Sequence, residues 1–320
     1  MRTALSPAAA AWLRRLDLPV IAGAFLLLAG ALSPQRVTDF IVFCIFVLSY
    51  DLLYGHLGRL SFGHMLYLGA GAYAAALSAG WLGGNPLLAL VAAAAAGALL
   101  GLVLGPIAVR ASGASFALIN LAFNQVGHFV VLVGLAAWTG GEDGLSVAFR
   151  PIGPLDLGDK RALFGFSLAA LLATIWLMRR LTASPFGILL RSVKENEIRV
   201  RFLGYDVYAA KLQAFVASAA LAAFAGGLVA VNYTYVTPSF IDPHRNVEVI
   251  FAALIGGAGS VYGATAGGVA YMLISNFLPR HVQRWEMFLG FALLLLVFRF
   301  RAGLWGFVSQ AFGPRRREGA

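Results

Sequence analysis

The sequence predicts an all-α membrane protein, a polytopic bundle of about ten (eight to ten) transmembrane helices. Of its 320 residues, 60% are hydrophobic and 12% are charged, whereas an ordinary soluble domain is roughly 25% charged. Residues 60–109 and 111–141 contain no Asp, Glu, Lys or Arg, and a spanning helix needs about 20 apolar residues. Ala, Leu and Gly dominate these runs, which favours helices over the alternating strands of a barrel. This composition excludes a soluble enzyme, a disordered chain and a small disulfide scaffold.

Ten apolar segments are candidate spans, and Gly83 to Pro86 supply the turn between the third and the fourth. The first is predicted to be an uncleaved anchor, because nine further apolar segments follow it. Eight spans would also fit if one of the short pairs is re-entrant. The spans cover residues 18–34, 38–54, 64–82, 86–108, 114–137, 162–178, 209–231, 247–258, 261–278 and 286–299. Gly97, Gly101 and Gly105 on the fourth span, and Gly263 and Gly267 on the ninth, predict close helix packing.

The distribution of basic residues predicts that both termini are cytoplasmic. With ten spans, most of the 24 Lys and Arg residues fall in cytoplasmic segments, whereas Arg245, Asp242 and Glu248 fall in an outer loop. The net charge of +10 then reflects basic loops and not nucleic-acid binding. The predicted parts are a cytoplasmic N-terminal segment (1–17), a first transmembrane half (18–178), a cytoplasmic segment (179–211), a second transmembrane half (212–300) and a basic cytoplasmic tail (301–320).

Polar side chains inside the predicted spans are candidate functional groups, because such residues usually face the bundle interior or a wet cavity. Asp51 either reaches water from a helix end or is a residue of the translocation pathway or gate or of an internal network. Span five carries a polar stripe at helical spacing, which either joins neighbouring helices or lines a translocation route. A proton relay is less favoured, since no second acid lies at a matching depth. The stripe consists of Asn120, Asn124, Gln125 and His128.

Two glycine-rich segments, 55–64 and 256–263, interrupt apolar runs. Helix breaks at membrane depth are tolerated where they line a cavity or are buried in protein, and in transporters they often mark the substrate route. We therefore predict a pathway or gate role for them. Its candidate residues are Ser61, Phe62, Gly63, His64, Gly256, Gly257, Gly259 and Ser260.

The cytoplasmic segment contains a predicted amphipathic helix. Ser184 followed by Pro185 is a helix start, apolar residues recur from Phe186 to Val193, and Gly204 is a natural stop. Such a helix either lies on anionic lipid or docks into a cytoplasmic ATPase. Its mixture of Lys, Glu and Asn favours docking.

The sequence lacks the motifs of an enzyme. No P-loop, H-E-x-x-H or nucleophile elbow is present, and Cys44, the only cysteine, offers no metal-binding spacing. Driven transport would need either an ion gradient or another subunit. A stand-alone channel or ion-coupled transporter is therefore one hypothesis.

Four stretches resemble the M-type membrane subunit of branched-chain amino acid ABC importers. They stand in the family's order, and the resemblance extends over most of the chain, from about residue 50 to residue 300. They are residues 58–64 with 69–73, 115–123 with 139–145, 184–197 with 203–204 and 211–215, and 255–260. Asn120 departs from the family, which often has Thr or another small residue there, so the exact substrate is open. Urea and amide importers have a closely related permease.

The resemblance implies a multi-pass permease of a bacterial inner-membrane importer. Its expected partners are a second homologous permease, two cytoplasmic ABC ATPases, an extracytoplasmic binding protein and membrane lipid. ATP and Mg would be bound by partner subunits, and no cofactor is expected in this chain. The segment from Ser184 to Gly204 would couple the permease to the ATPase. Its coupling residues would be Ser184, Pro185, Phe186, Gly187, Arg191, Lys194, Glu195, Asn196, Glu197 and Gly204.

Overall fold

The structure is a computed structural model. It describes residues 7–153 and 156–280 and positions 282, 287, 290, 291, 303, 305 and 306, with side chains from residue 18 onward. The helices are α1 (Pro7–Ala31), α2 (Pro34–Asp51), α3 (His64–Trp81), α4 (Pro86–Ala108), α5 (Gly113–Phe129), α6 (Ala136–Thr139), α7 (Lys160–Ala183), α8 (Pro185–Phe202), α9 (Val207–Tyr233), α10 (Asn246–Gly256) and α11 (Val261–Phe277). Five-residue π-helical turns extend α2 through Leu52–His56 and α5 through Val130–Gly134.

Six helical stretches in the described part of the chain are long and apolar enough to cross a membrane. They are Pro34–His56, Pro86–Ala108, Ala114–Gly134, Lys160–Ala183, Val207–Tyr233 and Val261–Arg280. A shorter apolar helix, Leu18–Ala31, coincides with the first predicted span, and α3 coincides with the third. A multi-pass helical membrane protein is thus confirmed. The tenth predicted span, 286–299, and the basic tail lie outside the described residues except at single positions.

Helix α9 packs closely against α3 and α4 and also contacts α2. A side chain added at Gly97 would collide with Ala219 and Ala223 of α9, and one at Gly101 would press on Val216. The small-residue spacing of α4 therefore packs as predicted. Because several residues of the facing surface are also alanines, the backbones approach with few side chains between them.

The bundle has two distinct ends. At the α8 end lie α8, the last residues of α2 and α4, and the first residues of α9. At the opposite end, β1 (Leu145–Ser146) and β2 (Tyr235–Val236) form an antiparallel ladder that pairs Leu145 with Val236. The all-α prediction omits this ladder, because two-residue strands are too short to show the alternation by which strands are recognised.

The eighth predicted span, 247–258, is wrong as a complete crossing. Helix α10 has 11 residues, which gives about 16 Å at 1.5 Å per residue, roughly half of a bilayer core. Its first residue, Asn246, donates from its side-chain amide to Asn124 at 2.6 Å, and Asn124 lies midway along Ala114–Gly134. Short 3₁₀ turns, Pro238–Ile241 and Pro243–Arg245, bring the chain from the ladder end to this depth. The chain therefore passes through this part of the bundle as irregular backbone over about half of the depth and as helix α10 over the other half.

A matched pair of glycines on α3 tests the close packing against α9. A Cβ at Gly71 would collide with the carbonyl group of Ala223, whereas a Cβ at Gly80 would meet no atom within 4 Å. We expect Gly71→Ala to lower the free energy of unfolding by about 1–3 kcal/mol through overpacking. Gly80→Ala should be neutral or stabilising by up to about 1 kcal/mol. Thermal unfolding in detergent measures both, and equal effects of the two substitutions would contradict this packing.

Candidate functional site

The two predicted helix breaks meet at the α8 end of the bundle. The Asp51 carboxylate accepts a hydrogen bond from the Gly259 backbone N–H at 2.7 Å. Gly55 lies so close to Gly259 that a Cβ there would collide with the Gly259 nitrogen. Asp51 is fully buried, with its second oxygen 3.4 Å from Nδ1 of His56. The alternative in which Asp51 reaches water from a helix end is thus wrong, because the π-helical turn continues the helix past it.

The second half of the first break enters the core. The Nε2 atom of His64 lies 3.0 Å from the Ser49 hydroxyl, and its ring centre is 5.3 Å from that of Phe46. Gly63 contacts the Asn120 backbone so closely that a side chain there would collide with the carbonyl group. Ser61 is fully buried. The break therefore contacts α2, α3 and α5, and α5 could not keep its place if the break moved.

The polar stripe of α5 divides into two surfaces. Asn124 is buried and donates to the Ile241 carbonyl at 2.6 Å, so it joins helices, one of the two predicted alternatives. Asn120 is also buried, and its amide donates within α5 to the Phe116 carbonyl at 2.8 Å. Gln125 is exposed and lines a groove with Phe62 and His244. His128 is half-buried.

The structure adds charged residues that the sequence assigned to an outer loop. Arg245 immediately precedes α10, and its Nε donates to Glu248 at 2.9 Å. Both flank Asn246, which lies level with the middle of α5, so the outer-loop position predicted for this pair is wrong. In the sequence, the pattern that could have indicated a half-helix is Pro243 and Asn246 followed by a short apolar run. The depth of that half-helix follows only from its contact with Asn124, which is distant in sequence.

Helix α8 begins as the sequence predicts. The Ser184 hydroxyl accepts from the Gly187 N–H at 3.4 Å, and a side chain at Gly187 would collide with the Thr182 backbone. Arg191 donates to the Thr182 carbonyl at 3.0 Å, which folds α8 back on the end of α7. The helix ends at Phe202, and Gly204 follows with a φ of +85°, a conformation that glycine adopts without strain.

The α8 helix is kinked at Asn196, whose φ of −159° and ψ of 95° are not helical. Its side-chain oxygen accepts from the Arg199 N–H at 2.9 Å, so Asn196 caps the second half of the helix. The sequence predicts a continuous helix here. Polar side chains compete for backbone groups in this way, and the competition is decided by tertiary context.

Glu197, on the second half of α8, binds three cations from three parts of the chain. Its carboxylate accepts from Arg59 at 2.7 Å, Lys211 at 2.9 Å and Arg201 at 3.0 Å. Burial raises the pKa of the Glu197 carboxyl, but the hydrogen bond and charge of Lys211 and the charges of Arg59 and Arg201 outweigh burial and hold the pKa below its usual value. The carboxylate is therefore charged at neutral pH and ties α8 to α9 and to the first break.

Lys194 makes a second link from α8 to that break. Its ammonium donates to the Gly55 carbonyl at 2.7 Å, and its side chain lies against Gly58, whose φ is +74°. Lys194 and Glu197 therefore hold α8 against the first break. Among the described residues, no three His, Cys, Asp or Glu side chains are grouped as a metal site would require.

Removing the Glu197 charge should loosen α8. We expect Glu197→Gln to lower the free energy of unfolding by about 1–3 kcal/mol, because hydrogen bonds to a charged group are lost and buried cations are left unpaired. The matched control is Glu195→Gln, since Glu195 is exposed and makes no ion pair with a described residue.

The stabilisation by Glu197 should also depend on pH. Because its folded pKa is depressed, the contribution is present above the ordinary carboxyl pKa and is lost as pH falls through the folded value. Thermal unfolding of wild type and Glu197→Gln from pH 7 to pH 3 measures this. A stability difference that stays constant in acid would contradict the assignment.

Comparison with known proteins places these features in a family. Residues 35–298 match the family described as branched-chain amino acid transport system / permease component. Similar proteins include the Salmonella typhimurium and Escherichia coli proteins named high-affinity branched-chain amino acid transport system permease protein LivM. They are 28% and 27% identical over 88% and 87% of this chain and 72% and 71% of their own lengths.

The Escherichia coli protein named high-affinity branched-chain amino acid transport system permease protein LivH is 26% identical over 80% of this chain and 88% of its own length. No solved structure gives a significant match. The resemblance to M-type permeases is confirmed by the LivM relatives. Since the family match covers most of the sequence, this chain belongs to the branched-chain amino acid transport permease family.

Proposed function

We propose that this chain is the permease subunit of an ATP-driven ABC importer for branched-chain amino acids in a bacterial inner membrane. It would form the translocation pathway with a second permease, receive substrate from an extracytoplasmic binding protein and be driven by two ATPase subunits. Family membership and the names of the relatives support the transport role. The observation that carries the coupling role is the Glu197 cluster, which connects an exposed helix to the interior of the bundle.

The proposed transmission runs from α8 to α5 through the first helix break. Arg59 bonds to Glu197 of α8, and Gly63, four residues later, packs against the α5 backbone at Asn120. A short connection with charged hydrogen bonds at one end and tight backbone packing at the other moves as a unit, because packed interiors do not deform continuously. A shift of α8 would therefore displace α5 and the groove that it lines.

The exposed surface of α8 supports docking on a protein. Phe202 is 86% exposed, and Ile198 and Leu203 beside it are 67% and 70% exposed. Large apolar groups at the tip of a charged helix mark an interaction site. Glu195 and Arg201 on the same helix make the surface mixed in charge. Such a mixed surface suits a protein partner better than anionic lipid, which favours purely basic faces.

The α8 end is proposed to be cytoplasmic. Arg59, Arg110, Arg179 and Arg191 all lie at this end of the described helices, in agreement with the positive-inside rule. The proposed coupling helix would then face the ATPases. Ten spans with both termini in the cytoplasm complete this topology, the discontinuous α10 crossing counting as the eighth.

Uptake by the reconstituted importer tests the proposed function. The chain is purified with its native partners, placed in liposomes with the binding protein, and supplied with radiolabelled leucine or urea. We expect leucine uptake that requires ATP. Leucine uptake by this chain alone, driven by a proton or sodium gradient, would contradict the proposal, as would uptake of urea in place of leucine.

Truncating the apolar tip of α8 tests docking. We expect the double variant Phe202→Ala and Leu203→Ala to lose most of the ATPase that co-purifies with wild type, because the exposed contacts would be removed. The control is Trp81→Ala, since Trp81 is 84% exposed at the opposite end of the bundle. Affinity capture and quantitative mass spectrometry measure the ratio of ATPase to permease. Equal ratios in the two variants would mean that α8 is not the docking helix.

A further inference from the structure

A basic pocket lies at the α8 end of the bundle and is lined by residues of α1, α7, α8 and α11. Its positive charge comes from Arg179 and Arg180 at the end of α7 and from Arg191 on the first half of α8. The pocket has a volume of about 710 Å³, and none of its described lining residues is acidic. It should therefore attract anions, and the Glu197 cluster on the second half of α8 does not use it.

Two of these arginines are exposed and keep donors for an anion. Arg191 donates from Nη1 to the Thr182 carbonyl at 3.0 Å, and the guanidinium carbon of Arg180 lies 5.8 Å from the centre of the Trp176 ring. Neither arginine forms an ion pair with a described residue. Since a guanidinium has five N–H donors in a planar fork that fits phosphate, both side chains could bind one phosphate group.

The basic pocket lies at the depth of lipid headgroups. Arg180 is in the last turn of Lys160–Ala183, a helix long and apolar enough to cross a membrane. Trp176, one turn earlier, is 54% exposed, and tryptophan is enriched where a membrane meets water. Basic pockets between membrane helices on the cytoplasmic side bind anionic lipid headgroups.

An apolar groove continues from the basic pocket into the bundle between α1 and α11. Tyr262 lines both the pocket and the groove. On α11 the groove is lined at every third or fourth residue as far as Leu273. The eleven residues from Tyr262 to Leu273 span about 16 Å of helix, which is close to half of a bilayer core of about 30 Å. The groove thus extends from headgroup level to about the middle of a membrane.

The apolar groove suits a hydrocarbon chain. Its volume is about 520 Å³, several times that of the apolar cavity of about 150 Å³ that accommodates benzene. No described residue of its lining is charged, and the wall on α1 consists of Val20, Ile21, Ala24 and Phe25. Because α1 contacts α2 and α7, a chain in the groove would fill the gap between α1 and α11.

We propose that the basic pocket and the apolar groove together bind one anionic phospholipid of the cytoplasmic leaflet. Arg180 and Arg191 bind the headgroup phosphate, and one acyl chain lies between α1 and α11. The lipid holds α1 on the bundle and the first half of α8 beside α7. Lipid and ATPase then contact different halves of α8, on either side of the kink at Asn196. The choice of leaflet rests on the proposed function, whereas the binding itself needs neither ATP nor substrate.

Native mass spectrometry tests the inference. The complex is extracted with its native permease and ATPase partners, exchanged into lipid-free detergent and titrated with phosphatidylglycerol or phosphatidylethanolamine. We expect phosphatidylglycerol to bind about tenfold more tightly or better, because the ammonium of phosphatidylethanolamine meets no described carboxylate in the pocket. Equal binding of the two lipids would overturn the inference. So would absence of bound phosphatidylglycerol, which would mean that another segment of the chain fills the groove.

Competition with glycerol 3-phosphate separates a lipid site from a site for soluble phosphates. This compound carries the phosphate but no acyl chain, and each buried methylene group adds to the affinity of a lipid. Displacing bound phosphatidylglycerol should therefore need a concentration of glycerol 3-phosphate about a hundredfold higher or more. Displacement at concentrations equal to that of the lipid would overturn the inference.

Charge variants of this chain assign the headgroup to the basic pocket. Each basic residue near a membrane surface contributes about a factor of five to the binding of anionic lipid. We expect the double variant Arg180→Gln and Arg191→Gln to bind phosphatidylglycerol about twenty-fivefold more weakly. The matched control is Arg36→Gln with Arg161→Gln, which removes the same charge from exposed positions at the opposite end of the bundle and should leave binding unchanged.

A variant of the groove keeps every charge. Ala24 is exposed on α1, so Ala24→Trp should fill the groove without disturbing the fold, and we expect it to lose one phosphatidylglycerol per copy of this chain. Ala95→Trp, at an exposed position of α4 away from the groove, is the control. Gel filtration confirms that each complex is assembled. Unchanged binding in the assembled arginine double variant or in assembled Ala24→Trp would overturn the inference.

The same complexes separate this inference from the proposed function. ATP-dependent leucine uptake by a complex that binds no phosphatidylglycerol would keep the importer and remove the lipid site. Phosphatidylglycerol binding by a chain that takes up leucine without any ATPase would keep the lipid site and remove the ABC importer.

Discussion

Where a membrane-spanning chain leaves the helix, its backbone groups cannot turn to water and must be satisfied by other parts of the protein. Asn246 meets this need at the centre of the bundle. Its side chain accepts from the Met65 N–H at 2.9 Å and donates to Asn124 and to the Pro243 carbonyl. One side-chain amide therefore supplies hydrogen-bond partners at the start of α3, at the start of α10 and in the middle of α5. Without it, the Met65 N–H and the Asn124 side-chain oxygen would each lose a buried hydrogen-bond partner.

This closure lies close in the chain to the contacts of α8. Arg59, which binds Glu197 of α8, precedes α3, and Met65, whose N–H donates to Asn246, follows six residues later in the first turn of α3. Asp51 makes the corresponding closure at the α8 end by accepting from Gly259. A change at α8 and a change at the start of α10 therefore act on the same segment. The coupling that we propose follows from this shared backbone and needs no long chain of contacts.

The sequence predicted what local spacing determines. Three predicted features depend only on neighbours in the chain, and the structure contains all three. They are the regularly spaced glycines of α4, the start of α8 at Ser184 and its end before Gly204. The positions of Arg245 and Asn246 were not predicted, because they depend on Asn124, 122 residues from Asn246. The Glu197 carboxylate likewise depends on Arg59, at a separation of 138 residues. Sequence spacing identified candidate residues, and long-range packing determined which of them meet.

Cross-linking between α5 and the start of α10 tests most directly that the α10 crossing is broken at half depth. Cys44 is the only cysteine and is replaced by Ala, after which Asn124→Cys is combined with Asn246→Cys. Leu145→Cys with Val236→Cys, partners in the ladder, is the positive control. With a short bifunctional thiol reagent applied to membranes, both pairs should cross-link. Cross-linking of the ladder pair without cross-linking of positions 124 and 246 would contradict the account.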